Sequence, residues 1–451
     1  MKKVLYFLLF FSFTSINLLS QNDSLNKAKY WHYRDRLNYF VLPGIARGES
    51  QIAGIRNRFD YGADDLNFGQ HGIYFGYYIG MLATEFKLLK DSKDERANET
   101  QHELNLALYQ YINYLDKVES FVFKNLKDSF DGFFVRESVP CDFLENNERK
   151  KFFNNNLQPN DLWDNNKKTF GNLPAGHPGW VNKISECDSI PKAMSQDEAI
   201  GLLYGLALVY KCMPEGSLSK DMSKAIAINL IDYIRNSSRI YGKTLSLRWS
   251  IFRPNGEKLK AYEGGLAWFY AHGFMKAAQF FKPDYDNLGK KITRYPQELF
   301  FQMGQFFPNP NADNTTMITT MAVIGDSWRA TIPIIGLIFK MNTTYFGIKA
   351  KTRKQDWDTF YVLSWEVLHD KHKNKKDRIN KTIEQLNSAP YEGPFNYYNK
   401  NQNGNGWSSS YKWHHKKATQ MGETNGIGGN YNGLDYMLLY NLYQIVKLDK
   451  K

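Results

Sequence analysis

Ile200-Gly201-Leu202-Leu203-Tyr204-Gly205-Leu206-Ala207-Leu208-Val209-Tyr210 carries no charged side chain. Its length and spacing predict a helix over 195–212 that is apolar on nearly every face. Such a helix is stable only inside a second layer of structure. The stretch that follows, Lys220–Asn236, is one-faced, with apolar residues at helical spacing and charges between them. A buried helix followed by an amphipathic one predicts concentric layers of helical hairpins.

Working outward, the same periodicity predicts helices over roughly 69–90, 99–126, 261–281, 286–303, 314–340, 355–370, 376–387 and 431–447. Strand signals are short, at 133–135 and 245–252, and read as strands or hairpin pieces. Gly72, Gly76 and Gly80 repeat every four residues on one predicted helix, and Gly201 and Gly205 do so on another. A glycine inside a helix costs ~1 kcal/mol relative to alanine. Repeating it along one face implies that another backbone or a ligand comes close, and tight packing is the simpler of the two readings.

This layered pattern resembles the (α/α)6 toroid, in which six inner helices are ringed by six outer ones. The resemblance implies a mainly α fold: a toroid-like helical barrel with long loops and a few short strands. Many exported toroids act on carbohydrates, as six-hairpin glycosidases or as polysaccharide lyases. A glycoside hydrolase-like protein acting on a glycan is therefore the first expectation. A lyase acting on an acidic polymer is the second. A non-catalytic glycan-binding or cell-envelope interaction protein is the rival from another class. Phe130–Pro140 (FDGFFVRESVP) and Ser195–Tyr210 (SQDEAIGLLYGLALVY) also resemble recurring features of a family of exported bacterial proteins without an assigned activity. That likeness transfers no catalytic residue.

The chain opens with Lys2 and Lys3 ahead of an apolar run from Val4 to Leu19. This is the layout of a secretory signal, and the run falls slightly short of the ~20 residues of a stable membrane span. The expectation is a signal peptide over 1–20, cleaved near Ser20–Gln21, then a single domain over 21–451 that is periplasmic or extracellular. The formal charge of +12 would become +10 without the two lysines. A basic surface suits an acidic glycan. The basic runs are not interleaved with aromatics as a nucleic-acid groove would be, so no nucleic-acid partner is expected. Of the three cysteines, Cys141 and Cys187 lie in loop-rich sequence and are the better pair for a disulfide. Cys212 ends an apolar helix and reads as a buried thiol.

Three acids are the first catalytic candidates. Asp197 follows Ser195 at the start of the buried helix. Ser195 and Glu198 themselves fit a capping box, which leaves Asp197 available as an acid or base. Glu263 stands between Tyr262 and two glycines before an aromatic-rich helix, and the Tyr262 phenol suits proton transfer of the lyase kind. Asp326 lies in Gly325-Asp326-Ser327-Trp328-Arg329, where pairing with Arg329 and contact with substrate are equally good readings. Asp64, Asp65 and His71 either line a cleft or are turn and first-turn residues, the turn reading being favoured. The stretch Pro390–Asn430 is a long aromatic-rich loop holding Phe395, Tyr397, Tyr398, Trp407, Tyr411 and Trp413, and rings flanked by Asn and Ser suit sugar faces. Glu423 and Asp435 flank the glycine-rich turn that follows. The expected substrate-binding residues are thus Tyr262, His71, Arg329, Trp407, Tyr411, Trp413 and Glu423.

No P-loop, dinucleotide fingerprint, HExxH or GxSxG is present, which argues against ATP, nicotinamide and serine-hydrolase chemistry. His414-His415 lacks a third partner, and no metal or cofactor is expected.

Overall fold

The computed structural model describes residues 23–56, 65–69, 71–123, 125–155, 181–185, 187, 193–242, 249–259, 267–285, 312–327, 348, 358–371, 376–389, 391, 393–396 and 429–448. The protein is mainly helical. Helix α1 covers 23–36. It is followed by α2 (His71–Asp91), α3 (Arg96–Gln110), the single turn α4 (Glu119–Val122), α5 (Asn147–Asn155), α6 (Gln196–Cys212) and α7 (Leu218–Gly242). Then come α8 (Ala267–Phe281), α9 (Ala312–Gly325), α10 (Asp358–His369), α11 (Lys376–Ser388) and α12 (Leu434–Leu448). No described helix is long and apolar enough to cross a membrane. The expected signal segment, the expected helix over 286–303 and residues 328–340 lie outside the described residues.

Helices α2 and α6 are buried on nearly every face, as their composition requires. They run side by side in the same direction. Gly72 faces Glu198, Gly76 faces the Gly201 backbone, and Gly80 faces Gly205 and Leu208. A methyl group added at Gly76 would stand 2.1 Å from the Gly201 carbonyl oxygen, and one at Gly205 would stand 1.9 Å from that of Gly76. The glycine repeats therefore serve backbone-to-backbone contact between two helices. Helix α6 stops at Met213, whose extended conformation (ψ 147°) is the one required ahead of Pro214.

The parallel arrangement continues beyond this pair. The Tyr204 and Ser364 hydroxyls meet at 2.7 Å, and Lys211 pairs with Asp370, so α6 and α10 run together. His369 Nε2 contacts the Val323 carbonyl near the ends of α9 and α10, while Thr316, Thr320 and Tyr361 share a cavity near their starts. α2 packs on α6, α6 on α9 and more lightly on α8 and α10, α8 on α9, α9 on α10, α10 on α12, and α12 back on α2. Amphipathic α3, α7 and α11 cover these buried helices from outside.

The first and last described helices close on each other. Tyr30 on α1 stacks on Tyr440 of α12, and the Tyr436 hydroxyl donates to the Asn26 carbonyl at 3.0 Å. Beneath them, Glu85 of α2 accepts from Tyr30, Arg34 and Thr100, and Arg34 also pairs with Glu103 of α3. Buried charges persist only when paired and hydrogen-bonded. Here one guanidinium serves two carboxylates and ties three helices together.

Val135 bridges Ala193, and Phe252 bridges Lys258 to close a hairpin turn, while residues 245–248 lie outside the described residues. The sheet is built elsewhere, from β1 (Ile55–Arg56), β2 (Asp65–Asn67), β3 (Lys183–Ser185), β4 (Phe395–Asn396) and β5 (Gly429–Tyr431) in the order β3-β2-β1-β5-β4. Its pairings are antiparallel except β2 with β3. Asp65 is thus a buried strand residue rather than a turn residue. Strands this short leave too few residues for a period of two to be seen. Cys141 and Cys187 are bridged, and Cys212 is a buried free thiol. Closing a loop of 46 residues stabilises by about 4 kcal/mol in the chain-entropy account.

Helices α2, α9 and α10 end alike. Lys93, Asp326 and Asp370 adopt left-handed backbone (φ 58°, 47° and 49°), and the next residue's N–H bonds back to Leu89, Ala322 and Glu366. Two predictions follow from these contacts. Gly76→Ala is expected to destabilise the protein by about 3 kcal/mol, because two backbones must separate. Lys93→Gly, at an exposed left-handed position, is expected to stabilise it by about 1 kcal/mol. Urea unfolding of the two variants beside the parent measures both.

Candidate functional site

Running α2, α6, α9 and α10 in one direction brings their starting turns to one end of the fold. A cavity lies there, lined by Ile73 and Tyr77 of α2, Asp197, Ile200, Gly201 and Tyr204 of α6, Thr316, Met317 and Thr320 of α9, and Phe360 and Tyr361 of α10. The space there comes to about 350 Å³ only when the part open to solvent is counted, and its closed part has room for about one water molecule. Each helix start presents backbone N–H groups and the positive end of its dipole, so this end of the fold favours negative charge.

Two neighbouring carboxylates answer that field in different ways. Glu198 is fully buried and accepts the Ile73 N–H at 3.0 Å. The expected capping box does not form: Ser195 makes no cap to the backbone, and Glu198 reaches across to the first turn of α2 instead of back along its own helix. The reason is the close glycine contact, which sets Gly72 against the Glu198 carboxylate. Ser195 donates its hydroxyl to Asp197 instead. Asp197 lines the cavity half-buried, the only carboxylate among the described lining residues.

The other lining groups are phenols, a phenyl ring, threonines and aliphatic side chains. The Tyr361 hydroxyl is buried beside the Thr320 and Thr316 hydroxyls, whose hydrogen bonding partly offsets the effect of burial, and its pKa is pushed up to about 12. Sequence reasoning did not single out Tyr361. The available signal was a hydroxylated aromatic in the first turn of a largely buried helix.

Of the catalytic candidates, Asp197 and Asp326 are described, and they lie apart. Asp326 caps the far end of α9, where it accepts from Trp365 Nε1 at 2.8 Å and pairs with Lys371. It lies six to ten residues beyond the threonines of the cavity, or ~9–15 Å along the helix axis. Its partners there mark it as a helix-end clasp. Glu263, Tyr262, Arg329, Trp407, Tyr411, Trp413 and Glu423 lie outside the described residues, as does His414-His415. The Pro390–Asn430 stretch begins and ends in paired strands, Phe395–Asn396 against Gly429–Asn430.

His71 opens α2 but is fully buried between Phe68 and Phe75, and it is not part of the cavity wall. Its Nδ1 lies 3.0 Å from the Arg136 carbonyl, which fixes the tautomer with Nδ1–H donating. Asp435 is likewise buried, with its pKa pushed well up by desolvation, and it accepts the Tyr436 N–H at 2.9 Å.

Burial lowers the His71 pKa to about 4. Between pH 4 and 6.5 the folded protein therefore binds fewer protons at this site than the unfolded chain does. The contribution is present in full above pH 6.5 and is lost as pH falls towards 4, by up to about 3 kcal/mol. In urea unfolding at pH 7, 5.5 and 4, the stability difference between the parent and His71→Gln is expected to shift in favour of the variant as pH drops. An unchanged difference would show that His71 is not buried uncharged.

No family model matches the chain, and no curated protein or solved structure matches it.

Proposed function

We propose that this chain is an exported, carbohydrate-active protein of (α/α)6-toroid architecture, acting on a glycan at the cavity where its inner helices begin. Buried helices that close from α12 back on α2, with amphipathic helices outside them, support the toroid reading. The Cys141–Cys187 bridge supports export, since such bridges persist in oxidising compartments. The observation that carries the activity is Asp197. It is a carboxylate held by Ser195 at a helix start, in a cavity walled by rings and hydroxyls. Aromatic faces suit the apolar faces of a sugar, and Thr316, Thr320 and Tyr361 suit its hydroxyl edges.

In a hydrolase Asp197 is the acid or base that serves the glycosidic oxygen or the attacking water. Its partner is not Asp326, which is engaged at the other end of α9. The expected Glu263 keeps its place as the candidate partner on sequence grounds alone. A binding protein is the rival reading, favoured by one feature: the described wall holds a single carboxylate.

A panel of neutral and acidic polysaccharides, read for new reducing ends and for unsaturated products, separates these outcomes. We expect hydrolysis of at least one polymer. Asp197→Asn is expected to cut the rate by 10²-fold or more, and Tyr361→Phe to weaken substrate binding with a smaller effect on turnover. Saturable binding without product identifies a binder. Unsaturated ends identify a lyase, and an undiminished rate in Asp197→Asn removes Asp197 from the mechanism.

A further inference from the structure

The cavity changes character from its mouth inward. Along α6, Asp197, Ile200 and Tyr204 fall on successive turns of one face, and all three line the wall. Asp197 is half-buried, while Ile200 and Tyr204 are 2 % exposed. On α9 the same gradient runs from half-buried Thr316 to buried Thr320 one turn on. The polar groups nearest the helix starts therefore stand outermost, and the next turns close the space from behind.

Hydroxyls deeper in the wall are engaged within the protein. That of Tyr204 meets the Ser364 hydroxyl at 2.7 Å, and Thr320 gives its proton to the Thr316 carbonyl at 2.8 Å. What lines the inner space is then mostly carbon: the Tyr77, Tyr204 and Phe360 rings with Ile73, Ile200 and Met317. All six are buried. Tyr77 stands edge-on to Tyr204 at 5.9 Å and to Phe360 at 6.5 Å. Rings braced in this way hold the wall in one shape.

The closed part of this space has room for about one water molecule. A buried water relies on about two to four polar partners, and cavities walled by carbon favour apolar occupants. A methyl group is close to water in size and needs no partner. Its burial against rings and aliphatic side chains is favourable in itself.

Resting on the glycan reading above, we propose that the substrate is a methyl-bearing sugar. Its methyl enters the inner space, and its hydroxyls stay at the mouth with Asp197 and Thr316. Two sugar groups carry a methyl of this kind: C6 of a 6-deoxyhexose and the acetyl of an N-acetylated amino sugar. Both hold it on a short arm, so the sugar ring remains beside Asp197.

The same wall discriminates against close analogues. A hydroxymethyl group in place of the C6 methyl is larger and carries a hydroxyl into a space lined mostly by carbon, at a desolvation cost. An N-formyl group in place of N-acetyl leaves the inner space unfilled and forfeits the contacts of the methyl.

The test reads binding, so it does not depend on turnover. The purified protein is titrated by calorimetry with L-fucose beside L-galactose, L-rhamnose beside L-mannose, and N-acetylglucosamine beside N-formylglucosamine. At least one methyl-bearing member is expected to bind about 10-fold tighter than its counterpart. A preference in the first two pairs assigns the methyl to C6, and one in the third assigns it to the acetyl group. Ile200→Ala, which enlarges the inner space, should shrink that preference and favour the homologue with ethyl in place of methyl. Met317→Ala serves the same purpose if Ile200→Ala does not fold. Equal binding within every pair overturns the methyl assignment and leaves the glycan reading standing. A preference that the enlarged cavity leaves unchanged also overturns it. Binding of none of these sugars overturns it as well, and the polysaccharide panel then decides separately whether the glycan reading survives.

Discussion

The contact between Gly76 on α2 and Gly201 and Gly205 on α6 is the constraint from which most of the architecture follows. Two helix backbones meet without side chains between them, and this fixes their separation, direction and register together. A methyl group at either end of the contact would overlap a carbonyl oxygen, so sliding by one residue is blocked. With α2 and α6 locked in parallel, each must cross back through an outer helix before the next inner one begins. Hence α3 and α7 run outside, and their one-faced composition matches that position. The Arg34 clasp on Glu85 and Glu103 then holds α1 against α2 and α3.

The same constraint decides what the adjacent acids at the start of α6 do. Successive helical residues point about 100° apart, so Asp197 and Glu198 cannot serve the same neighbour. Glu198 falls on the glycine face and is drawn into the gap at Gly72, where it satisfies a backbone donor of α2. Asp197 falls beside it, on the side that opens into the cavity. A carboxylate committed to a backbone N–H at 3.0 Å is poorly placed to exchange protons with a ligand. One held by a single serine hydroxyl at a cavity edge is better placed. The difference between a structural and a chemical acid here is one position along one helix.

The helices were legible in the sequence because each spans several turns, enough for apolar spacing to show. The uncharged stretch Ile200–Tyr210 required an outer layer, and the layer is there. The glycine repeats pointed to close approach, and the approach is between backbones. The sheet was not legible: strands of two or three residues, drawn from positions as far apart as Ile55 and Tyr431, are set by tertiary contacts rather than local pattern. Helices α1 and α5 were missed for a related reason, since neither carries an uninterrupted apolar stripe. At the site, sequence placed Asp197 at a helix start but grouped it with Asp326, because both are acids near apolar helices. Only the direction of the chain separates them: Asp197 begins a helix, and Asp326 ends one.

That asymmetry accounts for the partners of these acids. At a helix start an acid faces bare N–H groups and needs no cation, as with Glu198 at Ile73. At a helix end it faces bare carbonyls and needs one nearby, which Lys371 supplies to Asp326 and Lys211 to Asp370. Asp116 breaks the pattern. It sits where a helical segment ends, the position least favourable to negative charge, and two more carboxylates are brought to it by a glycine-dependent return. Backbone donors reach one of its oxygens, and the buried Tyr111 hydroxyl stands beside the carboxyl as a further donor. With no lysine or arginine paired to it among the described residues, Asp116 meets its burial by holding its proton, its pKa raised well above the usual carboxylate range.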